Sequence, residues 1–323
     1  MHVAGYYCRR GLAASDAVIA AKTLSRLRRI AACAGGGLPA GTDLFLHGVL
    51  TIMCAPMNTG KLVRLNRIFA HNSGRLCSVA VDHFMIYQDG LPEGLRDVPA
   101  TLKAMVKGRP DAVTMQIGMA KNAWGPFAGE VPLIIQGSML RLDDSARAQG
   151  ATPEDAVRLG ADAFAIACFV RGATEWEYMQ AVADAVRQAE RFDMPVICHV
   201  YPRTFKDGTI RVSFAPEDIA WATRCASELG ADVIKVPYCG DVQAYAQIVG
   251  AAPVRVVAAG GPKAPDLRGS LAMMADVVKS GAAGATIGRN IWGFANVTAN
   301  IRAFKAVIHD GMSAEDALRK AGL

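Results

Sequence analysis

Residues 215–236 read APEDIAWATRCASELGADVIKV, and residues 152–166 read TPEDAVRLGADAFAI. Each opens with proline and two acids, which suit the first turn of a helix. Proline has no N–H to lose there, and carboxylates face the positive end of the helix dipole. Each then passes through Gly-Ala-Asp into an apolar run, and GAAGATIG (281–288) repeats the second half. A helix, a tight turn and a strand are being reused as one unit. Short Gly-Ala turns also occur in doubly wound α/β proteins, so the number of units has to decide.

Eight apolar runs are spaced as strands: CSVAVD (77–82), AVTMQ (112–116), VPLIIQ (131–136), AFAIAC (163–168), PVICHV (195–200), VIKV (233–236), RVVAA (255–259) and GATIG (284–288). They are almost continuously apolar, as parallel strands covered on both faces are. Helical stretches fall at 97–107, 174–191, 215–229, 241–249, 268–280 and 294–309. The link between the second and third runs is short and glycine-rich. No dinucleotide-binding fingerprint follows the first strand, so eight units predict a (β/α)8 TIM barrel of the α/β class over residues 76–323.

Such a barrel uses roughly 250 residues, and the chain has 323. Residues 1–75 are therefore read as an N-terminal helical extension. ASDAVIAAKTLSRLRRI (14–30) and NTGKLVRLNRIFAHNSG (58–74) are its helices, split by the breaker AGGGLPAG (34–41). Leu62, Leu65 and Ile68 are expected on one side of the second, packed against the side of the barrel or a neighbouring subunit.

The formal charge of +6 does not mark a nucleic-acid protein, because the extension holds ten basic and two acidic residues and the rest holds 25 and 27. No run approaches the ~18 consecutive apolar residues of a membrane span. The start MHVAGYYCRR has no apolar run after it and does not read as a signal peptide. The eight cysteines include no CxxC pair, and the apolar settings of Cys77, Cys168 and Cys198 suit reduced thiols in a cytoplasmic protein. Only six histidines occur, with no HxH or HxxxH pair, so no metal site is expected.

Barrel enzymes work at the C-terminal ends of their strands. Lys235 lies inside the sixth strand between Ile234 and Val236. A buried ammonium is costly, and the neutral amine can attack a carbonyl to form a Schiff base. The same position also suits a lysine reaching from a strand end to water. Asp82 ends the first strand and can move protons on a substrate hydroxyl or cap the next turn. Tyr201 follows the fifth strand, as a general acid/base or a packed aromatic. His199 and Arg203 beside it can orient polar substrate groups, and His199 equally suits a satisfied core histidine. AAGGPK (258–263) follows the seventh strand and GATIGRN (284–290) the eighth. Their glycines let backbone amides approach a phosphate, Arg289 adds a charged fork, and phosphate sites in barrels are commonly built there.

Taken together, Asp82-His83, Tyr201-Pro202-Arg203, Lys235, Ala259-Gly260-Gly261-Pro262-Lys263 and Gly288-Arg289-Asn290 resemble the DeoC/LacD superfamily, most of all its archaeal-type class I fructose-bisphosphate aldolases. The resemblance covers about residues 70–310. It implies a cofactor-free, metal-independent Schiff-base aldolase, usually a homo-oligomer, acting on a phosphorylated ketose or aldehyde. It makes Lys235 the imine-forming lysine, Tyr201 the general acid/base and Asp82 a second proton-handling group. Gly260, Gly261, Gly288 and Arg289 would hold phosphate, with Lys263 adding charge nearby. Two departures stand out: Phe84 replaces the usual glycine after Asp-His, and Thr204 replaces the glycine after Arg203. The neighbouring functions are an amino-dideoxy-heptulosonate synthase, a phosphorylated-pentanedione thiolase that would require coenzyme A, and a non-catalytic phosphate-binding barrel with no use for Lys235.

Overall fold

The computed structural model describes residues 58–83 and 90–323. Its strands are β1 (Leu76–Ala80), β2 (Ala112–Gln116), β3 (Leu133–Gln136), β4 (Ser138–Leu140), β5 (Arg147–Gln149), β6 (Ala163–Val170), β7 (Val196–Lys206), β8 (Thr209–Val212), β9 (Val233–Val236), β10 (Arg255–Ala259) and β11 (Gly284–Ile287). Its helices are α1 (Thr59–Ile68), α2 (Val98–Gly108), α3 (Ile117–Ala123), α4 (Pro153–Arg158), α5 (Glu175–Glu190), α6 (Pro216–Glu228), α7 (Val242–Ala251), α8 (Leu267–Lys279), α9 (Arg289–Trp292), α10 (Val297–Asp310) and α11 (Ala314–Ala321).

Parallel pairing runs β1-β2-β3-β6-β7-β9-β10-β11 and returns to β1, so the eight expected strands close a barrel. Two antiparallel hairpins lie outside the expected set. β4 and β5 form one after β3. In the other, β7 runs on to Lys206 and turns through Asp207 and Gly208, both with positive φ, into β8. Asp-Gly is the sequence signature of that primed turn.

Alternation along the strands makes two cores. Outward residues such as Val79, Met115, Phe164, Cys198 and Ile234 pack under the helices. Inward residues Leu76, Ala112, Ile134, Ala163, Ile197, Val233 and Val257 form an apolar floor with Leu65, Ile68 and Phe69. Helix α1 therefore seats on the N-terminal mouth of the barrel, where packing against the barrel's side or a neighbouring subunit was expected. Its buried stripe is Lys61, Leu65 and Ile68, while Leu62 is 44% exposed. Lys61 can occupy that stripe because Glu190 and Asp232 receive its ammonium, the latter at 3.0 Å. Asp232 ends one Gly-Ala-Asp turn; Asp162 ends the other and takes Arg67 at 3.1 Å. The repeated aspartates thus serve both as turns into strands and as sockets for the helix. The candidate helix 14–30 and Phe84 lie outside the described residues.

Among the described residues no helix is long and apolar enough to cross a membrane. The five described cysteines are free thiols, and burial pushes that of Cys198 up to about 12.

Candidate active site

Above the apolar floor the barrel interior turns polar. Ser78 Oγ donates to Thr286 Oγ1 at 2.8 Å, and the next layers hold Gln136, His199, Lys235 and Asp82. Period-2 alternation puts them there. Lys235 lies two residues beyond the inward Val233, His199 two beyond Ile197, and Gln136 two beyond Ile134.

Lys235 is 4% exposed and lies in register with His199 on β7 and Val257 on β10. No hydrogen bond or ion pair among the described residues engages its Nζ. Gln136 Nε2 donates to Asp82 Oδ2 and His199 Nδ1, each at 3.1 Å, while Gln136 Oε1 accepts the Ser138 N–H at 3.0 Å. On the other side of Asp82, His83 Nδ1 stands 3.4 Å from Oδ1. Trp292 meets the His83 ring edge-on at 5.7 Å and fixes itself to β1 through Nε1 on the Ala80 carbonyl at 2.9 Å.

The charges follow from this packing. Burial opposes the Asp82 carboxylate, but His83, Lys235, His199 and the Gln136 hydrogen bond outweigh it and hold the carboxyl below its usual range. Burial pushes the His83 imidazole down to about 4, against the pull of Asp82. Burial, then Lys235, drives His199 down as well. Near neutral pH the site presents an ionised Asp82 and two neutral imidazoles around a buried lysine.

The two glycine loops meet on the adjoining rim. A Cβ at Gly260 would lie 2.8 Å from the Cα of Ile287, and Gly261 has φ +72°, so both positions require glycine. Asn290 stitches this loop: its Nδ2 donates to the carbonyls of Gly260 and Pro262 at 2.8 and 2.9 Å, and its Oδ1 accepts Ala264 N–H at 2.8 Å. Arg289 Nη2 donates to the Gly261 carbonyl at 3.2 Å, and Arg289 also acts on the His83 charge. Lys263 is exposed, its Nζ 5.0 Å from the centre of the Phe294 ring.

Tyr201 is half-buried at the upper end of β7, its ring centre 6.4 Å from that of Phe169. The structure does not bring Arg203 to Lys235. Its guanidinium is buried and donates to Asp144 Oδ2 at 2.9 Å, Thr174 Oγ1 at 2.9 Å and the carbonyls of Arg171 and Leu142 at 3.0 and 3.3 Å. It ties the β4–β5 hairpin region to the loop before α5. Gln136 and Asn290 had no assigned role in the sequence. The signal for Gln136 is a single amide at an inward position ending an otherwise apolar strand.

Among the described residues no group of three or more His, Cys, Asp or Glu is placed to hold a metal ion. A buried lysine beside an ionised carboxylate suits imine formation and proton transfer, and the adjoining glycine loops suit an anion.

A family model described as DeoC/LacD family aldolase matches residues 76–293. The chain is 34% identical to a 2-amino-3,7-dideoxy-D-threo-hept-6-ulosonate synthase of Halobacterium salinarum over 269 residues, 82% of this chain and 98% of the relative. It is 32% identical to the class 1 fructose-bisphosphate aldolase of Thermoproteus tenax over 205 residues, 62% of this chain and 76% of the relative. The crystal structure of an archaeal fructose 1,6-bisphosphate aldolase superposes with TM-score 0.69 at 29% identity, covering 78% of this chain and 100% of that one.

Proposed function

The chain belongs to the DeoC/LacD family of aldolases, and from that membership we propose that it makes or breaks the bond between an aldehyde and a three-carbon hydroxyketone carried on Lys235. Its reaction class within the family is that of a lysine Schiff-base, aldolase-type carbon–carbon bond enzyme. The observation that carries the assignment of the lysine is the burial of Lys235 among Asp82, His83 and His199 with no partner on its Nζ among the described residues.

In the forward direction the Lys235 amine adds to the ketone carbon and water leaves, giving an iminium. Loss of a proton from the neighbouring carbon to Asp82 or Tyr201 yields the enamine. The enamine carbon attacks the aldehyde, the aldehyde oxygen takes up a proton, and hydrolysis frees the lysine. Cleavage runs the same steps backwards, with the iminium accepting the electrons of the breaking bond. Gly260, Gly261, Gly288, Arg289 and Lys263 hold an anionic end of the substrate so that the reacting carbons stay over Lys235.

The acceptor we favour is an amino-acid aldehyde over a phosphorylated one. An amino-dideoxy-heptulosonate of the kind the Halobacterium relative makes has its ketone at carbon 6. Cutting it at the bond two carbons from that ketone gives hydroxyacetone and aspartate semialdehyde. The Halobacterium relative also aligns over more of the chain, 82% against 62% for the Thermoproteus aldolase. Cleavage of fructose bisphosphate remains the second reading, supported by the likeness to the archaeal aldolase fold. A panel decides between them. Aspartate semialdehyde is incubated with dihydroxyacetone phosphate or hydroxyacetone, and fructose bisphosphate is supplied separately, with products read by mass spectrometry. Condensation with the semialdehyde supports the favoured reading, and efficient release of dihydroxyacetone phosphate from the bisphosphate supports the second.

A further inference from the structure

Gln136 hydrogen-bonds two members of the candidate site, and its own orientation is fixed from outside it. The Ser138 backbone N–H, an obligatory donor, lies 3.0 Å from Oε1, so that atom must be the amide oxygen. Nε2 therefore carries both amide protons, and they meet Asp82 Oδ2 and His199 Nδ1, each at 3.1 Å. A ring nitrogen that receives an N–H presents a lone pair. His199 is thus neutral with its proton on Nε2, and no hydrogen bond among the described residues engages that N–H. His199 is 3% exposed and sits beside Lys235 in strand register. The charged and titratable groups that act on it are Lys235 on β9 and Asp82 and His83 just after β1.

We propose that Gln136 is a positioning residue that sets His199 in the Nε2–H form, and that this N–H donates to the hydroxyl oxygen next to the imine carbon of the substrate on Lys235. The proposal rests on the Schiff-base reading of Lys235 and gives the hydroxyketone named there its hydrogen-bond donor. The donor unit is an α-hydroxyketone, because a site built to hydrogen-bond a hydroxyl rejects an analogue that lacks it. His199 moves no proton in this role; it holds the oxygen, and with it the face of the enamine.

The test uses the full chain and dihydroxyacetone phosphate, whose exchange of an α-proton for deuterium in D2O reports the enamine without any aldehyde. In wild-type protein, nitrogen-15 NMR of the histidines, with His199 assigned by its loss in His199→Gln, should show an unprotonated Nδ1 and a protonated Nε2. His199→Gln, which keeps an N–H near the Nε2 position, should exchange within about tenfold of wild type, and His199→Leu should lose roughly 30–100-fold. Gln136→Glu removes the donor, so the Nδ1 signal should become protonated and the acid limb of the exchange profile should shift. A protonated Nδ1 at His199 in wild-type protein overturns the proposal. So does full exchange in His199→Leu, or an unchanged tautomer and pH profile in Gln136→Glu. Borohydride trapping on Lys235 runs in parallel: its failure in wild-type protein overturns the Schiff-base reading and the substrate half of this proposal with it.

Discussion

The ring of His83 lies against the backbone of Gly288 so closely that a Cβ there would come within 2.3 Å of its Cε1. One glycine thereby joins the aspartate end of the site to the anion rim, because His83 also abuts Asp82. Gly288→Ala must move the ring. We expect the Michaelis constant for a phosphorylated donor to rise about tenfold and stability to fall by about 1–3 kcal/mol, as overpacking of a filled site does. Steady-state kinetics and thermal unfolding read the two effects.

The buried imidazoles set an acid limit on stability. The folded-state pKa of His83 is lowered to about 4, whereas the unfolded histidine protonates near 6.5. Between those values the unfolded chain binds the extra proton, so stability falls as pH drops through that window and levels off below it. His199 acts in the same direction. Asp82 is depressed too, and its contribution, present above the unfolded carboxylate value, is lost at still lower pH. The His83 share is at most on the order of 3 kcal/mol. Urea unfolding across pH 4 to 7 should show the decline, and His83→Gln should flatten it.

Two arginines should separate cleanly. Arg203→Ala withdraws the guanidinium from Thr174, two carbonyls and Asp144, which keeps the Thr174 and Tyr178 hydroxyls, and should cost about 1–3 kcal/mol. Arg203→Lys should recover little of it, since an ammonium cannot reproduce the planar fork. Arg289→Ala should leave the melting temperature within a few degrees and raise the Michaelis constant for a phosphorylated donor roughly 10–100-fold. A fall in stability in Arg289→Ala with no change in that constant would speak against the anion rim.

Much of this was legible in the chain. The Gly-Ala-Asp turns and apolar runs place all eight barrel strands, because parallel strands covered on both faces leave an unmistakable apolar record. Lys235 stood in the sequence between burial and a reach to water, and the inward face of Val233 decides for burial. What escaped has a common cause: the partners are far apart in sequence. Nothing near Arg203 announces Asp144, 59 positions away. Lys61 displaces Leu62 from the buried stripe of α1 only because Glu190 and Asp232 lie beneath it. Gln136 reads as the polar end of an apolar strand until Asp82 and His199 are seen on either side of its amide.

The central claim is that Lys235 carries the substrate as an imine. Wild-type protein is mixed with dihydroxyacetone phosphate, reduced with borohydride, digested and sequenced by mass spectrometry. We expect the added mass on the peptide containing Lys235, and neither adduct nor turnover in Lys235→Ala. An adduct on another lysine, or full activity in Lys235→Ala, would contradict it.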